Sequence, residues 1–377
     1  MRLAMVAGEA SGDLLASLML QGLKARWPGL HSAGIGGPRM VEQGFEVWAA
    51  SERLSVFGYV DALKRLPELL WLRRRTRQRI QRERPDVFVG VDAPDFNFGL
   101  EQALRAGGLR TVHFVCPSIW AWRPKRVERL RAAADHVLCL FPFEPALLAL
   151  HGVAATYVGH PLADAIALDI DRLGSRRALG IEDHDHPLVA LLPGSRRAEI
   201  VHIAPVLVDC AQQMAAARPG LSFVLPVAPG LGDLVEPIVR PLQESGRLRL
   251  LRGRSHQALA AADVALVASG TATLEAALLK CPQVIVYRLA QADWQRMKSM
   301  RLQPWVGLPN ILSDDFIVPE RIQDDARPDV LAADAFRWLD DAGAVERYRV
   351  RCRVMHAQLR QNTGEKAAQA LQEVVGG

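Results

Sequence analysis

A chain of 377 residues, half of them hydrophobic and 23% charged, is long enough for two globular domains and contains no low-complexity tract. The net charge is only +5, and Cys116, Cys139, Cys210, Cys281 and Cys352 form no CxxC pair, which excludes a disulfide scaffold and points to reduced thiols in a cytoplasmic protein. No run approaches the roughly 18 apolar residues of a membrane span, and the start, MRLAMVAGEASGD, lacks the basic flank and cleavage site of a secretory signal.

The first expected strand, Leu3–Ala7, runs into GEASGD and a helix over Leu14–Ala25. A glycine-containing turn at a helix start offers backbone N–H groups to an anion, so Ser11 and Gly12 are candidate ligand contacts. Ser11 or Asp13 equally suits a helix cap. No lysine stands at Walker spacing. After the second strand, Ser32–Ile35, GIGGPR fails as a dinucleotide fingerprint: Arg39 replaces the last glycine, a proline intrudes, and the motif follows the second strand. That disfavours a nicotinamide-dependent oxidoreductase.

The segment ALKRLPELLWLRRRTRQRIQRER, with a helix expected over Pro67–Arg84, holds nine basic and two acidic residues, so the rest of the chain is net negative. Val56, Phe57, Tyr59 and Val60, then Leu63, Leu66, Leu69, Leu70, Trp71 and Leu72, precede Arg73, Arg74 and Arg75. An apolar block followed by arginines suits the boundary between acyl chains and anionic headgroups. The plainer alternative is a surface helix packing its leucines on the sheet. Nucleic acid is not expected, because no recognisable binding fold surrounds the patch.

The stretch PDVFVGVDAPDFNFG reads as a buried strand, Val87–Val91, ending at Asp92. Ligands bind beyond the carboxyl ends of strands in open α/β sheets, which makes Asp92 a site candidate. Asp95, beside Phe96 and Asn97, reads as a cap for the next helix, Gly99–Ala106. Strand Thr111–Val115 leads to PSIWAWRPKR, two tryptophans with the character of core residues and a cluster of cations. A helix over Pro124–Ala134 and strands at Val137–Leu140 and Thr156–Val158 follow. The polar stretch Leu162–Pro187 reads as a linker. Its His184 and His186 lack the further ligands a metal needs, so no metal is expected.

A second alternating series has strands at Leu188–Leu192, Phe223–Val227, Leu248–Leu251, Val264–Val267 and Val284–Tyr287, with helices at Glu199–Ala217, Thr271–Lys280 and Gln291–Arg301. LLPGSRRAEI places Gly194, Ser195 and Arg196 at a helix start suited to a diphosphate, with a local Arg196–Glu199 pair as the alternative. SGTATLEAAL repeats the arrangement with Ser269, Gly270 and Thr271, and Glu275 is placed to take ribose hydroxyls or else is an exposed helical glutamate. VGLPNIL adds Asn310 in a loop. Residues 344–375 read as helical, long enough to reach the first domain or a partner subunit in a homodimer. The pattern predicts an α/β fold of two Rossmann-like, doubly wound domains facing a cleft: 1–165, 166–343 and a helical tail, 344–377.

Taken in order, AGEASGDLL, GVDAPDFN, PSIWAWRPKR, GHPLAD, LLPGSRRAEI, ASGTATLEAAL, VYRL and LPNIL resemble the lipid A disaccharide synthase family, bacterial glycosyltransferases of GT-B architecture, along nearly the whole chain. Ala16 departs from a glycine that many members carry. The resemblance implies transfer of 2,3-diacylglucosamine from its UDP derivative to the 6-hydroxyl of 2,3-diacylglucosamine 1-phosphate (lipid X), without cofactor or metal. It implies Asp92 as general base, Arg196 as stabiliser of the UDP diphosphate, and Glu275 on the ribose, with Ser269, Gly270 and Thr271 near the nucleotide. Asn310 matches a position associated with the active site. Two acylated substrates give the patch from Val56 to Arg84 a reason to lie on the cytoplasmic face of the bacterial inner membrane. Two other readings are a UDP-sugar 2-epimerase of the same architecture and a noncatalytic membrane-surface adaptor.

Overall fold

The computed structural model describes residues 1–54, 58–181, 186–298, 300 and 302–376, with the side chains of residues 9, 10, 58–64, 292, 293 and 296 outside the description. Val56, Phe57 and His184, and the side chains of Tyr59, Val60 and Leu63, therefore fall outside it. The chain divides into two compact units, residues 1–165 with 358–377, and residues 166–357.

Among the described residues, the first unit holds a seven-stranded sheet: β1 (Arg2–Ala7), β2 (His31–Gly36), β3 (Glu46–Ala50), β4 (Val87–Val91), β5 (Thr111–Phe114), β6 (His136–Cys139) and β7 (Ala155–Tyr157). All pairings are parallel, in the order β3-β2-β1-β4-β5-β6-β7. The second unit holds β8 (Leu188–Leu192), β9 (Ser222–Val227), β10 (Leu248–Arg252), β11 (Val264–Ala268), β12 (Gln283–Tyr287) and β13 (Glu320–Ile322), ordered β10-β9-β8-β11-β12-β13 and again parallel. Strands β4, β8 and β11 are buried along their whole length because helices cover both faces of each sheet, which is why they are written as unbroken apolar runs. The strand order reverses between β1 and β4 and between β8 and β11. Those two switch points are where an open α/β sheet leaves room for a ligand.

Several elements differ from expectation. The edge strands β3 and β13 carry charged or partly exposed residues, so they lack the apolar run that marked the central strands. The stretch expected as a linker contains the helices Pro161–Ala165 and Arg172–Ala178. Arg176, 1% exposed, donates to Asp263 at 2.6 Å, and Asp263 also accepts from the N–H of Leu188 at 2.7 Å. The Arg172–Ala178 helix is therefore pinned against the start of β8 within the second unit. The helix Arg197–Ala217 is apolar and long enough to cross a bilayer by composition, yet it supplies much of the second unit's core.

Residues 344–377 do not form a separate body. The helix Ala342–Leu359 belongs to the second unit up to Ala357, and the helix Thr363–Gly376 belongs to the first. The break between them is held by Asp164, which accepts from the N–H groups of Asn362 and Thr363 at 2.9 and 2.6 Å. The last helix crosses the helix Glu9–Arg26 where Gly22 meets Gly364; a Cβ on Gly22 would lie 2.3 Å from the Gly364 Cα. Two side chains could not share that crossing.

Candidate active site

In the first unit, β1 turns at Gly8 into the helix Glu9–Arg26, and β4 turns at Asp92 and Ala93 into the helix Pro94–Arg105. Ala7 pairs with Val91, so the two turns are neighbours, and the Cβ position of Gly8 lies 3.0 Å from the Ala93 Cβ. Ser11 is half-buried and Gly12 buried in the first turn of the Glu9–Arg26 helix, whose N-cap is Gly8. Asp13 caps a different helix: buried, it accepts from the N–H groups of Gly37, Arg39 and Met40 at 3.0, 3.0 and 3.1 Å and so fixes the start of Pro38–Glu42. The GIGGPR stretch is built around that carboxylate.

Asp92 and Ala93 both adopt left-handed backbone, φ 48 and 43, a conformation that costs a non-glycine residue of order 1–3 kcal/mol. Asp92 is held from two sides. Its N–H donates to Phe114 at 2.9 Å, and its carbonyl accepts from Asn97 Nδ2 at 2.8 Å. Asn97 is wholly buried, and its amide also reaches the carbonyls of Val6 and Val91 at 3.3 and 3.4 Å. The Asp92 side chain is half-buried. This is the geometry of a strained, over-determined turn presenting a carboxylate at a switch point.

Asp95 is not the helix cap. Ala93 is the N-cap and Pro94 the first helical residue, while exposed Asp95 accepts from Arg126 at 2.8 Å. His113, fully buried in β5, pairs with equally buried Glu101 at 2.7 Å. The tryptophans of PSIWAWRPKR are half-buried and not core. Trp120 donates to Glu144 at 3.1 Å and meets Phe143 edge-on at 5.4 Å. Burial pushes the Glu144 carboxyl up to about 8, against the pull of N–H donors from Phe141, Trp120 and Leu140.

In the second unit, Arg196 is the N-cap of Arg197–Ala217, and both its backbone N–H and its guanidinium donate to Glu199. Glu199 Oε2 accepts from the N–H groups of Ser195 and Arg196 at 2.9 and 3.2 Å, and its other oxygen lies 3.2 Å from the Arg196 guanidinium. The donors expected to seat a diphosphate are thus engaged by a resident carboxylate. Arg196 keeps 58% of its side chain exposed. Gly194 precedes them at φ 113.

Beyond β11, Gly270 is the N-cap of Thr271–Leu278 at φ 150, a conformation suited to glycine, and among the described residues no atom beyond its chain neighbours lies within 4 Å of its Cβ position. Gly270 and Thr271 are exposed. The Ser269 hydroxyl is committed to the Val306 carbonyl at 2.9 Å. Glu275, 14% exposed, is paired with His256 Nε2 at 3.2 Å. His256 went unnoticed in the sequence, although it follows the end of β10 and opens the helix Ser255–Ala261.

Asn310 is wholly buried, and protein groups engage both ends of its side-chain amide. It donates to Val318 and Glu320, both at 2.9 Å, and accepts from Ile317 and Val318 at 2.8 and 3.0 Å. Glu320 in turn accepts from the N–H groups of Val306 and Gly307 at 2.8 and 2.9 Å. The chain of bonds runs from Asn310 through Glu320 and Val306 to Ser269.

The basic helix resolves into two faces. Leu72 is buried and half-buried Leu69 packs on the same core, with Thr76 and Ile80 continuing that inward line, so Leu72 does not belong to an outer surface. Leu66, Leu70 and Trp71 are 46%, 45% and 49% exposed. Arg74 and Arg75 are exposed, Arg75 also stacking on Trp71 at 5.2 Å, whereas half-buried Arg73 packs over Gly99.

Residues 3–374 match the family model described as lipid-A-disaccharide synthetase. The chain belongs to that family. It is 52% identical to the lipid-A-disaccharide synthase of Verminephrobacter eiseniae over 386 residues, covering 100% of this chain and 97% of the relative. It is also 52% identical to that of Thiobacillus denitrificans over 368 residues, covering 97% and 98%. Among solved structures it resembles UDP-GlcNAc 2-epimerase from Neisseria meningitidis bound to UDP-GlcNAc, at TM-score 0.66 and 11% identity over 100% of this chain and 99% of the other. At that identity the likeness is one of fold. Membership makes the chain a glycosyltransferase that forms the lipid A disaccharide, built on two parallel-sheet α/β units of the GT-B type.

Proposed function

We propose that the enzyme transfers 2,3-diacylglucosamine from UDP-2,3-diacylglucosamine to the 6-hydroxyl of lipid X, releasing UDP and a β-1,6-linked disaccharide 1-phosphate. The observation that carries this reading is Asp92, held in left-handed backbone by Asn97 at the β1/β4 switch point of a chain in this family. An α-linked donor and a β-linked product require inversion in a single displacement. Asp92 accepts the proton of the acceptor 6-hydroxyl as that oxygen attacks C1. The C1–O bond to the diphosphate breaks from the opposite face, and UDP leaves with the electron pair.

The second unit supplies the donor contacts. Gly194, Ser195 and Arg196 take the diphosphate, where the guanidinium and the helix start offset the charge that grows on the leaving group. For this the phosphate must compete with Glu199 for the same donors. Exposed Gly270 and Thr271 approach the nucleotide, with Ser269 bracing the turn from behind. Glu275, steadied by His256, takes the ribose hydroxyls.

Both substrates are acylated, so they are met at a bilayer. Leu66, Leu70 and Trp71 with Arg74 and Arg75 form the membrane-facing surface, apolar tips beside cations, on the cytoplasmic face of the inner membrane. Replacing Leu66 and Leu70 by Ser is expected to release the protein from anionic vesicles. Unchanged partition would remove this surface from the account.

The test of the reaction is direct. Purified protein mixed with the acylated donor and lipid X should yield UDP and disaccharide together. Conversion of UDP-GlcNAc without an acceptor, and no disaccharide, would replace this reading by an epimerase.

A further inference from the structure

The loop Pro117–Arg126 takes no part in the reaction as described above, yet it concentrates charge beside Asp92. Arg123 occupies left-handed backbone at φ 53, a strained conformation for a non-glycine residue. Its guanidinium stacks 4.3 Å from the ring centroid of half-buried Trp122, and Arg126 approaches the same ring at 5.5 Å. Arg126 also donates to Asp95 at 2.8 Å, and Arg129 lies 3.6 Å from the second oxygen of Asp95. One carboxylate is thus shared by two arginines. With Arg123 and exposed Lys125 added, and exposed Glu128 the other acid of the segment, the patch keeps an excess of positive charge.

The sheet fixes what lies beside that charge. Strand β5 neighbours β4, and the Asp92 N–H donates to the carbonyl of Phe114, the last residue of β5. The loop that leaves β5 therefore starts next to the Asp92 turn. Asp95, three residues after Asp92, ties Arg126 back to that turn. An aromatic plate, a stacked guanidinium and an ion-paired frame are joined to the segment that carries the general base.

We infer that this loop is the subsite for a phosphomonoester on the acceptor, with Arg123 as its main cation and Trp122, Arg126 and Asp95 as its frame. The inference rests on the acceptor assigned under the proposed function. That sugar carries its reacting hydroxyl on C6 and its phosphate on C1, so the phosphate must meet cations close to the base but separate from it. A guanidinium binds phosphate oxygens in a bidentate fork, and stacking on an indole reduces the ordering cost of doing so.

Steady-state rates on the intact enzyme test this with the acylated UDP donor and two acceptors, 2,3-diacylglucosamine 1-phosphate and the same sugar without its phosphate. Wild type is expected to favour the phosphorylated acceptor. Arg123→Ala should lower kcat/KM for that acceptor roughly ten- to a hundredfold, the size of a lost charge-assisted hydrogen bond, chiefly through KM. The preference then collapses, and Arg123→Lys, which keeps the charge, restores part of it. An equal loss with both acceptors would assign Arg123 to the folding of the loop and overturn the subsite; an unchanged preference would overturn it too. If wild type makes no disaccharide from either acceptor, the transferase reading fails, and the subsite with it.

Discussion

Asn97 donates through Nδ2 to the backbone carbonyl of Asp92 at 2.8 Å, and the same buried amide reaches the carbonyls at the ends of β1 and β4. One side chain thereby holds the left-handed turn that carries Asp92, the proposed general base. Asn97→Ala is expected to lower kcat roughly a hundredfold, as a small misplacement of a catalytic group does. UDP affinity should be unchanged, because the proposed nucleotide contacts belong to the second unit. Steady-state kinetics beside calorimetric UDP titration checks both halves; an unaltered kcat would show that the turn holds itself.

Glu199 accepts from Ser195 and Arg196 at the expected diphosphate seat. Arg196→Ala is expected to reduce kcat about a hundred- to a thousandfold, the range for loss of a group that stabilises transition-state charge. Glu199→Ala should instead lower stability by about 1 kcal/mol, as a lost cap does, while strengthening UDP binding. Denaturant melts and UDP titrations separate the two. Weaker UDP binding in the Glu199 variant would contradict the competition described here.

Glu275 and His256 make a third test. If Glu275 takes the ribose hydroxyls, UDP should bind more tightly than its 2′-deoxy analogue, and Glu275→Ala should erase the difference. His256→Phe should shrink it, and His256→Gln, which keeps a donor for the carboxylate, should largely preserve it. Equal loss of affinity for both nucleotides on His256→Phe would mean that the histidine supports the helix and not the carboxylate.

Buried Glu144 gives a pH dependence of defined sign. Its folded-state value of about 8 lies above the ordinary 4.5, so between those limits the folded protein holds the proton more tightly, and stability falls as pH rises. His160, pushed by burial down to about 4 from 6.5, acts below 6.5 and leaves the window from 6.5 to 8 to Glu144. Melting temperature should decline across that window in wild type. The decline should flatten in Glu144→Gln; an equal slope in the variant would remove Glu144 as the cause.

The central strands were legible because Val87–Val91 and Leu188–Leu192 are buried on both faces and so are written as apolar runs. The edges β3 and β13 were not, since half-exposed strands with Glu46 or Glu320 carry no such signature. Polarity misled at Leu162–Pro187, where Arg176 finds Asp263 at a separation of 87 residues that no local pattern announces. Composition located the apolar and basic helix but not its faces; helical phase divides Leu69 and Leu72, which pack inward, from Leu66 and Leu70, which do not. Asp92 could be found from its place after a strand. The jobs of Asn97, Asp95, Asn310 and His256 depend on partners brought in by the fold, and those partners separate braces from contacts.

The most direct measurement is Asp92→Asn assayed for turnover and for UDP affinity in the same preparation. Loss of a general base predicts a fall in kcat of about a hundred- to ten-thousandfold with UDP binding intact. Turnover within a few-fold of wild type, with binding equally intact, would contradict the claim that Asp92 draws the proton from the acceptor hydroxyl.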